Sequence, residues 1–486
     1  MDLSKHLLIK STLVRLLSFL VLIFAVRFAY YIAVKGGSCV SNDFCFFPPQ
    51  NLDSTNHHHP VTTTAAATSR RTINHYLSVF QDLIVDGYLS PNSKSLCIET
   101  ITGEEIIALK EIGVANSVGI SKKSKKVKKY PPLILSNYSL PFDDNTFDFQ
   151  FTNNLDRSGQ PDEFGSELCR TLKPGGFLVI HTKSRDLYSL QSLLDLFNCC
   201  GLIRSREING VDSMLLMIIR EVVLMKARNF SWSGNVGRNC SVSGVKKELA
   251  KNAEALIRKE PMKPWITLKR NLKNVKYLSD NVDISFKRKY VYVDVGARSY
   301  GSSIGSCFRK SYPKQNKSFE VYAIEADKAF FEEYRSKKGV TLLPYAAWVR
   351  NETLFFGINR EVNKKFVEKG RGMWRIQPVQ SSMGYMGDFD KIEGFDFAEW
   401  LKNLVVERDF VVVKMDVEGT EFHLIPRLVE TGAICLIDEL FLECHYNRWQ
   451  RCCPGQRSVK YRKTYDQCLQ LFSSLRGSGV LVHQWW

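Results

Sequence analysis

The chain of 486 residues is long enough for two or three domains, and its 44% hydrophobic and 12% aromatic content supports sizeable cores. Its formal net charge of +17 suits an anionic polysaccharide, a membrane surface or nucleic acid as a partner. Because the chain shows no nucleic-acid-binding signature and no interleaving of basic and aromatic residues, no nucleic-acid partner is predicted.

The first predicted element is a membrane anchor. Residues 16–34 are apolar except for Arg27, and about 20 residues of helix span a bilayer core. Arg27 must reach the interface, where Tyr30 and Tyr31 are also expected. Basic residues in the tail, residues 1–15, favour a cytosolic N-terminus. The pattern predicts an uncleaved signal anchor with the remaining chain in the lumen of the Golgi or another secretory compartment. A cleaved signal peptide and a mitochondrial presequence are the alternatives.

A polar stretch over residues 35–71 follows the anchor. Its Pro, Thr, Ser and Asn residues show no apolar periodicity, which predicts a disordered stem. The three histidines at 57–59 belong to this stem, where nothing fixes the geometry that a metal site needs.

Cysteine usage is compatible with a luminal chain. The 13 cysteines include no C-x-x-C pair, so a zinc ribbon is disfavoured and a few disulfides with buried thiols are expected. Cys444 and His445, together with Cys452 and Cys453, form an alternative metal-binding set, but the prediction is that no metal is bound. The N-x-[ST] sequons of the chain permit glycosylation without requiring it.

Short apolar strands alternate with helical segments in two blocks, residues 72–225 and 286–486, which is typical of α/β folds with a mostly parallel sheet. Residues 226–285, rich in Asn, Lys and Ser, are predicted to connect the blocks. The predicted fold is therefore two tandem doubly wound, Rossmann-like α/β domains after an N-terminal transmembrane helix. In the first block the strands are SLCIE, SVGIS, FDFQFT and FLVIHT, followed by a hairpin. In the second they are YVYVDVG, EVYAIEA, VTLLPYAAW, FVVVKMD, ICLIDELFLE and VLVHQW.

A glycine turn follows the first strand of the second block. In YVYVDVGARSYGSS, Asp294 ends the strand, Gly296 permits a tight turn and Gly301 permits a close backbone approach. Glu325 ends the next strand, where a carboxylate can accept both ribose hydroxyls of an adenosine-bearing cofactor. Together these motifs predict a nucleoside-type cofactor at the strand ends. A helix cap for Asp294 and a solvated loop acid for Glu325 are the structural alternatives.

The sequence FVVVKMDVEGTE, residues 410–421, sets three carboxylates at the end of a later strand. In the doubly wound order this strand lies beside the first one, so Asp416 should face the same crevice as Asp294. Glu418 and Glu421 either line that crevice or anchor the turn and begin the next helix, where acids suit the helix dipole.

At these motifs the second block resembles the FkbM-type S-adenosylmethionine-dependent methyltransferases. The resemblance covers about residues 290–486 and rests on VDVGARSYG, IEAD, AAW, VKMDVEGTE and IDELFLECH, of which the D-x-E-G-x-E string is the most specific. The anchor and the closing VLVHQWW resemble the plant, membrane-anchored branch. Arg298 in place of the usual asparagine, a longer turn before Gly301, and Pro426, expected to break or delay the next helix, depart from the family pattern.

The resemblance implies a class I methyltransferase fold with S-adenosylmethionine as cofactor. The cofactor-binding residues that it implies are Asp294, Gly296, Ala297, Gly301, Glu325, Ala326, Ala346 and Glu418. Methyl transfer depends mainly on positioning, and a hydroxyl acceptor also needs a base. Asp416 is the first candidate for this catalytic base and His445 the second. As alternatives, Asp416 only caps the turn or contacts the cofactor, and His445 is a structural histidine.

The first block also resembles class I methyltransferases, in LPFDDNTFDFQFTNN and ELCRTLKPGGFLVIHT. Its cofactor half departs from that pattern. Glu99 stands in the place of the acid, but Gly103 alone remains of the glycine turn, Ile101 is bulky, and Ser121 replaces the ribose-binding acid. This domain is predicted to be degenerate and to bind no cofactor.

These predictions converge on a membrane-anchored, S-adenosylmethionine-dependent methyltransferase that acts through its C-terminal domain. The expected acceptor is an oxygen of an acidic or neutral glycan, or of another secretory-pathway molecule. The alternative is a non-catalytic scaffold or binding protein built from pseudo-methyltransferase domains. Neither the acceptor nor the oligomeric state follows from the sequence.

Overall fold

The computed structural model describes residues 62–100, 103–121, 133–135, 139–153, 155, 160–211, 216–228, 244–357, 375–378, 389–450, 455–459 and 461–485. The predicted tail, the anchor and most of the stem lie outside these ranges. Among the described helices, none is both long and apolar enough to cross a membrane. From Thr63 onward the described residues form one compact unit.

The first described helix, α1 (Thr62–Val85), begins inside the segment predicted as stem. Its buried apolar residues recur at helical spacing and pack in the first domain's core: Ile73, Tyr76, Phe80 and Leu83. The disorder predicted for residues 62–71 is therefore wrong, because the helix that this apolar stripe anchors continues back through the Thr and Ala residues.

A seven-stranded sheet forms the first domain. Its strands are β1 (Ser95–Ile98), β2 (Ser117–Ser121), β3 (Leu133–Leu135), β4 (Phe147–Thr152), β5 (Leu172–Thr182), β6 (Cys200–Val211) and β7 (Leu216–Lys226). They lie in the order β3-β2-β1-β4-β5-β7-β6, and β7 is antiparallel to both of its neighbours. The doubly wound sheet and its closing hairpin are confirmed, and β3 is an addition to the predicted strands. The connecting helices are α2 (Glu104–Glu111), α3 (Pro161–Thr171) and α4 (Leu187–Asp195).

Two further sheets form the second domain. Their strands are β8 (Tyr290–Val295), β9 (Phe319–Ile324), β10 (Thr341–Leu343), β11 (Ala346–Trp348), β12 (Glu352–Gly357), β13 (Arg375–Pro378), β14 (Phe389–Asp396), β15 (Phe410–Met415), β16 (Glu439–Glu443) and β17 (Val482–Trp485). The larger sheet has the order β10-β9-β8-β15-β16-β17, and all its strands are parallel. This is the doubly wound order of dinucleotide-binding folds, with its switch point between β8 and β15. The smaller sheet, ordered β11-β14-β12-β13, is inserted between β10 and β15.

The helices of this half of the chain are α5 (Gly244–Lys251), α6 (Pro264–Asn271), α7 (Leu278–Asn281), α8 (Arg309–Ser311), α9 (Phe331–Arg335), α10 (Phe397–Leu404), α11 (Glu421–Glu430) and α12 (Tyr465–Gly477). Helix α11 contains Pro426 in its interior, so the expected break does not occur. Proline removes one helical hydrogen bond, but Leu424, Ile425 and Leu428 around it are buried in the domain core. Their burial offsets the lost bond.

The predicted connector, residues 226–285, is partly built into the second domain. Helix α5 packs beside α12, and its Ala250 is 1% exposed. Glu254, just after α5, pairs with Arg476 of α12 at 2.7 Å. The second domain therefore begins well before residue 286. The polar composition of this segment did not predict this, because two of the three lysines of α5 are exposed whereas Ala250 packs inward.

Each of the two domains contributes a side chain to the hydrophobic core of the other. Phe286, from the second half, is 1% exposed and belongs to the hydrophobic core under the first sheet. Tyr188 of α4 belongs to the core under the second sheet, and its hydroxyl donates to Asp438 Oδ1 at 2.9 Å. Neither core is therefore complete without the other domain.

Two disulfides lie in the described residues, Cys169–Cys199 and Cys444–Cys468. The second joins the end of β16 to α12. Cys97 remains a buried thiol. The expectation of a few disulfides with buried thiols is confirmed.

Candidate active site

The switch point between β8 and β15 is where a doubly wound sheet binds its ligands. The two strands pair directly, with Asp294 opposite Lys414. The turns after them, which begin with Gly296 and Asp416, therefore lie at the same edge of the sheet. The prediction that FVVVKMD lies beside the first strand of the block is confirmed.

Lys414 is a buried cation that joins these two strand ends. Its Nζ lies 3.1 Å from Asp294 Oδ1 and 3.5 Å from Asp416 Oδ2. It also donates a hydrogen bond to the carbonyl oxygen of Gly296 at 3.2 Å. Burial lowers the pKa of Lys414, but the carboxylates of Asp294 and Asp416 raise it above its ordinary value. The side chain therefore stays charged inside the sheet.

Asp294 is fully buried, and burial raises its pKa although Lys414 opposes the shift. Its second carboxylate oxygen accepts a hydrogen bond from the Ser303 hydroxyl. These contacts direct Asp294 into the protein, where it fixes the turn after β8.

Gly296 has a left-handed backbone with φ of 75°. A Cβ at this position would lie 1.8 Å from the carbonyl oxygen of Asp416. The predicted tight turn is therefore present, and its close approach is to the end of β15. Glycine is needed because both the left-handed φ and the space exclude a side chain.

Glu325, directly after β9, is 8% exposed. Its carboxylate accepts hydrogen bonds from the backbone N–H groups of Arg298 at 2.5 Å and Asp327 at 2.6 Å. Burial raises the pKa of Glu325 to about 7, although these two hydrogen bonds oppose the rise. Glu325 is thus not a solvated loop acid. Each carboxylate oxygen keeps capacity for a further donor such as a ribose hydroxyl.

The remaining residues predicted to bind the cofactor occupy different surroundings. Ala297 is buried, and its carbonyl oxygen accepts from the Ser302 hydroxyl at 2.8 Å. At Gly301, no atom of the described residues other than its chain neighbours lies within 4 Å of the place where a Cβ would stand. Ala326 and Ala346 pack in the small core of the inserted sheet. Of these residues, Gly301 has the space that a ligand needs.

Four side chains form what we call the acidic cluster: Asp416, Glu418, Glu443 and His445. The Nε2 atom of His445 lies 3.6 Å from Asp416 Oδ1 and 3.7 Å from Glu418 Oε2. Glu443, at the end of β16, brings Oε1 to 3.7 Å from the same nitrogen. The imidazole is 5% exposed, whereas the three carboxylates are between 20% and 29% exposed. The cluster is therefore open on its carboxylate side.

Glu421 holds the imidazole from behind. Its Oε1 lies 3.2 Å from His445 Nδ1 and accepts the backbone N–H of His445 at 2.7 Å. Its other oxygen accepts the N–H of Gly419 at 2.8 Å. Glu421 also begins α11, so it anchors the turn and starts the helix. Glu418, in contrast, lies in the cluster and accepts from the hydroxyl of Tyr461.

The charges of the cluster decide which member can accept a proton. Burial lowers the pKa of His445, but the surrounding carboxylates, Glu421 foremost, raise it to about 10. The imidazole is thus protonated at neutral pH, which argues against its predicted role as base. Burial raises the pKa of Asp416, but Lys414 and His445 bring it below its ordinary value. Burial and the neighbouring Asp416 raise the pKa of Glu443 to about 8, close to the value that suits a general base near neutral pH.

Sequence reasoning missed Lys414 and Glu443 as site residues. Lys414 interrupts an otherwise apolar strand, and a buried lysine requires carboxylate partners. Glu443 ends its strand, as the acids singled out in the other two motifs do. Both signals are present in the sequence, but the partners follow only from the pairing of β8, β15 and β16.

At the corresponding edge of the first sheet, several described residues are hydrogen-bonded to one another. The N–H of Gly103 donates to Thr100 Oγ1 at 3.0 Å, and the Thr100 hydroxyl donates to Glu105. Glu105 is buried and also accepts from Asn153 Nδ2, beyond β4, at 3.0 Å. Ile101 lies outside the described residues. The absence of cofactor binding in this domain stays a prediction.

The first sheet, with its doubly wound order and antiparallel closing strand, defines a class I methyltransferase-like domain. Residues 102–180 match the model of a methyltransferase domain family, which indicates S-adenosylmethionine as the cofactor of the class. Residues 250–354 and 371–486 match the model of a domain of unknown function, DUF7870. The methyltransferase match thus falls on the domain predicted to be degenerate.

Solved structures of SAM-dependent methyltransferases also resemble parts of the chain. One from Aquifex aeolicus is 18% identical, covers 30% of this chain and 89% of its own, and gives a TM-score of 0.25. One from Methanosarcina mazei is 16% identical, covers 30% and 98%, and gives 0.25. One from Thermotoga maritima is 17% identical, covers 34% and 92%, and gives 0.26. These TM-scores are low, and no function is assigned to the chain from them. Among functionally curated proteins, none matches the chain.

Proposed function

We propose that the protein is an S-adenosylmethionine-dependent methyltransferase whose transfer site is the carboxyl edge of the second sheet. The observation that carries the proposal is the assembly of Asp294, Lys414 and the acidic cluster at one switch point. Of these residues, Asp294, Asp416, Glu418 and His445 lie in the motifs on which the FkbM-type resemblance rests. The methyltransferase match in the neighbouring domain supports the same class of chemistry.

The residues at this edge fit the groups of the cofactor. Glu325 stands at the end of the strand next to β8, where a carboxylate receives ribose hydroxyls. The backbone at Gly301 has open space beside it. The acidic cluster carries more negative than positive charge, which suits a cationic sulfonium. Bound S-adenosylmethionine supplies an electrophilic methyl group on a good leaving group.

The chain's own task is to orient the acceptor and take its proton. Asp416 and Glu443 lie on the open side of the cluster, and His445 beside them is protonated. These carboxylates would position an acceptor hydroxyl and take its proton, and the bound cofactor would supply the methyl group that replaces this proton. Asp416 remains the candidate base from the sequence, and Glu443 joins it.

The acceptor that we propose is a hydroxyl or carboxylate oxygen of a glycan in the secretory pathway. The basic charge of the chain supports an acidic or neutral glycan as acceptor. Disulfides Cys169–Cys199 and Cys444–Cys468 support an oxidising compartment. With the anchor expected at residues 16–34, the proposal is a single-pass protein of the Golgi or another secretory membrane with both domains in the lumen.

The test is calorimetric binding of S-adenosylmethionine to the full chain in detergent, followed by incubation with labelled cofactor and fractionated glycans. We expect the wild type to bind and Glu325→Ala to weaken binding by about tenfold or more, because the loss of hydrogen bonds worth about 1.4 kcal/mol lowers the affinity tenfold. Glu393→Gln, an exposed carboxylate on β14, is the matched control and should bind as the wild type does. Thermal melts of each variant establish that it is folded.

Absence of binding to the folded wild type would sink the proposal and favour the scaffold alternative. Equal binding by Glu325→Ala and the wild type would remove the assignment of the site to the second sheet. The scaffold alternative is supported by the hydrogen bonds that Thr100 makes to Glu105 and Gly103 at the edge of the first sheet.

A further inference from the structure

The buried imidazole of His445 has one nitrogen aimed at carboxylates without bonding to them. Within the described part of the chain, Nε2 has no hydrogen-bond partner. Its side chain is 5% exposed, so bulk water does not replace the missing partner. A buried polar atom left in this state costs free energy unless another group satisfies it.

Two carboxylates lie on the open side of this nitrogen at a spacing suited to a shared ion. Oxygens of Asp416 and Glu418 and the Nε2 of His445 all lie within 4.8 Å of one another. They stand 3.6 Å and 3.7 Å from Nε2, beyond hydrogen-bond length but close enough for one ion to contact all three. The carboxylate of Glu443 adjoins them at 3.7 Å from the same atom.

The opposite nitrogen is oriented as in many metal-binding histidines. The Nδ1 of His445 lies 3.2 Å from Glu421 Oε1, and Glu421 is itself fixed by the backbone N–H groups of Gly419 and His445. A carboxylate behind a histidine fixes the ring orientation and raises its basicity as a ligand. This contact leaves Nε2 as the atom that faces Asp416 and Glu418.

The charge around the cluster also calls for a further cation. Asp416, Glu418 and Glu443 gather at one edge, and like charges at this distance destabilise one another. Lys414 reaches Asp416 at 3.5 Å but lies closer to Asp294, at 3.1 Å.

We propose that Asp416, Glu418 and His445 form a site for one divalent cation, with Glu443 as an adjoining carboxylate. The Nε2 atom of His445 binds the cation in its deprotonated form, so binding of the cation releases the proton that the imidazole carries in the metal-free chain. Oxygen ligands suit Mg²⁺, Ca²⁺ and Mn²⁺, whereas imidazole favours transition metals, so the mixed set points to an ion of the Mn²⁺ type. The site lies at the switch point of the second sheet and is open on its carboxylate side.

If the proposed methyl transfer is correct, the cation gives Asp416 a new role. The cation would hold the acceptor oxygen, which favours a hydroxyl acceptor with a second oxygen nearby. Asp416 would then be a ligand of the cation and not the base, so the hydroxyl proton would pass to Glu443. The oxygen–carbon bond forms as the carbon–sulfur bond breaks. This part of the inference rests on the proposed function, whereas the cation site does not.

The test uses the full chain, freed of metal with a chelator, and Mn²⁺ alone. Titration followed by the electron paramagnetic resonance signal of free Mn²⁺ should give one bound ion per chain. Glu418→Gln and Asp416→Asn should each weaken binding by about tenfold or more. Glu393→Gln, exposed on β14, is the matched control and should leave the affinity unchanged. A thermal melt checks the fold of each variant.

Failure of the folded wild type to bind Mn²⁺ at this stoichiometry overturns the site, and this result needs no variant. Unchanged affinity in a folded Glu418→Gln protein overturns it as well. Calorimetry with S-adenosylmethionine on the metal-free chain separates the two proposals. Mn²⁺ binding without cofactor binding supports the cation site and removes the methyltransferase proposal. Cofactor binding without Mn²⁺ binding does the reverse.

Discussion

Gly296 and Gly301 belong to one turn but meet different surroundings. Gly296→Ala should lower the free energy of unfolding by about 3 kcal/mol, because left-handed strain adds to a clash with the end of β15. The clash is specific, since the new Cβ would lie 1.8 Å from the Asp416 carbonyl oxygen. Gly301→Ala is the matched control, because in the part of the chain that the structure describes only its chain neighbours lie within 4 Å of the new Cβ. Urea unfolding followed by circular dichroism compares them, and equal midpoints would contradict the packing described for Gly296.

Lys414 gives a second prediction for a single residue. Lys414→Met leaves the buried carboxylate of Asp294 without its cation, and breaking such a pair costs about 3–5 kcal/mol. The double variant Lys414→Met/Asp294→Asn should recover most of that loss, because the fully buried carboxylate of Asp294 is removed together with its cation, whereas Asp416 is 29% exposed and stays partly solvated. Both are measured by urea unfolding at neutral pH. A double variant as unstable as the single one would show that the role of Lys414 is packing and not charge.

Side chains that end strands were the predictable part of the site. Asp416 and Glu325 each follow a strand, Asp294 is the last residue but one of its strand, and the doubly wound order alone brings such positions to one edge. The partners of these acids were not predictable, because they depend on register. Lys414 meets Asp294 only because β15 pairs with β8 in a particular alignment. The inward direction of Asp294 follows from that partner.

At the scale of elements, strand β17 carries a pH-sensitive contact. His483 is fully buried, with Nδ1 3.0 Å from Glu254 and Nε2 3.0 Å from Glu439. Burial lowers the pKa of His483, but these hydrogen bonds raise it to about 9. Because the folded pKa lies above the unfolded value, the stabilisation is fully present below about pH 6.5 and is lost as the pH rises through about 9.

The measurable consequence is a stability difference that depends on pH. Between pH 6.5 and 9.5 the wild type should lose about 3 kcal/mol more of its unfolding free energy than His483→Gln, because about 1.4 kcal/mol accompanies each unit of pKa difference. Urea midpoints at several pH values give this difference and cancel other titrating groups. A constant difference across the range would rule out a charged His483 in the folded state.

Elements with a clear pattern were predictable, and the others were set by tertiary contacts. The strands YVYVDV and FVVVKM are apolar runs with one charged residue each, Asp294 and Lys414, and such runs are typical of strands covered on both faces. Strand β3 has three residues, Leu133–Leu135, too few for a periodic signal. Helix α11 passes through Pro426 because its buried face holds it against the core. No local rule predicts that outcome.

For the whole molecule, the exchange of Phe286 and Tyr188 joins the stability of the two domains. Phe286 of the second domain lies in the core of the first, and Tyr188 of the first domain lies in the core of the second. Arg408 of the second domain also pairs with Asp162 of the first. Since a domain lacking part of its core loses several kcal/mol, neither should remain folded once the other unfolds. The sequence suggested two separate blocks because a single side chain that crosses between them leaves no pattern.

Tryptophan fluorescence tests this coupling directly, because the chain has no tryptophan between residues 72 and 225. Its signal therefore reports on the second half alone.

Phe164, fully buried in the first domain's core, is the position to change. Phe164→Ala should destabilise the first domain by about 3–5 kcal/mol and lower the urea midpoint of the tryptophan signal with it. Leu187→Ala, at a side chain that is 64% exposed, is the control. A tryptophan midpoint that stays in place while circular dichroism shows earlier unfolding would mean that the domains unfold independently and that the shared core contributes little to either.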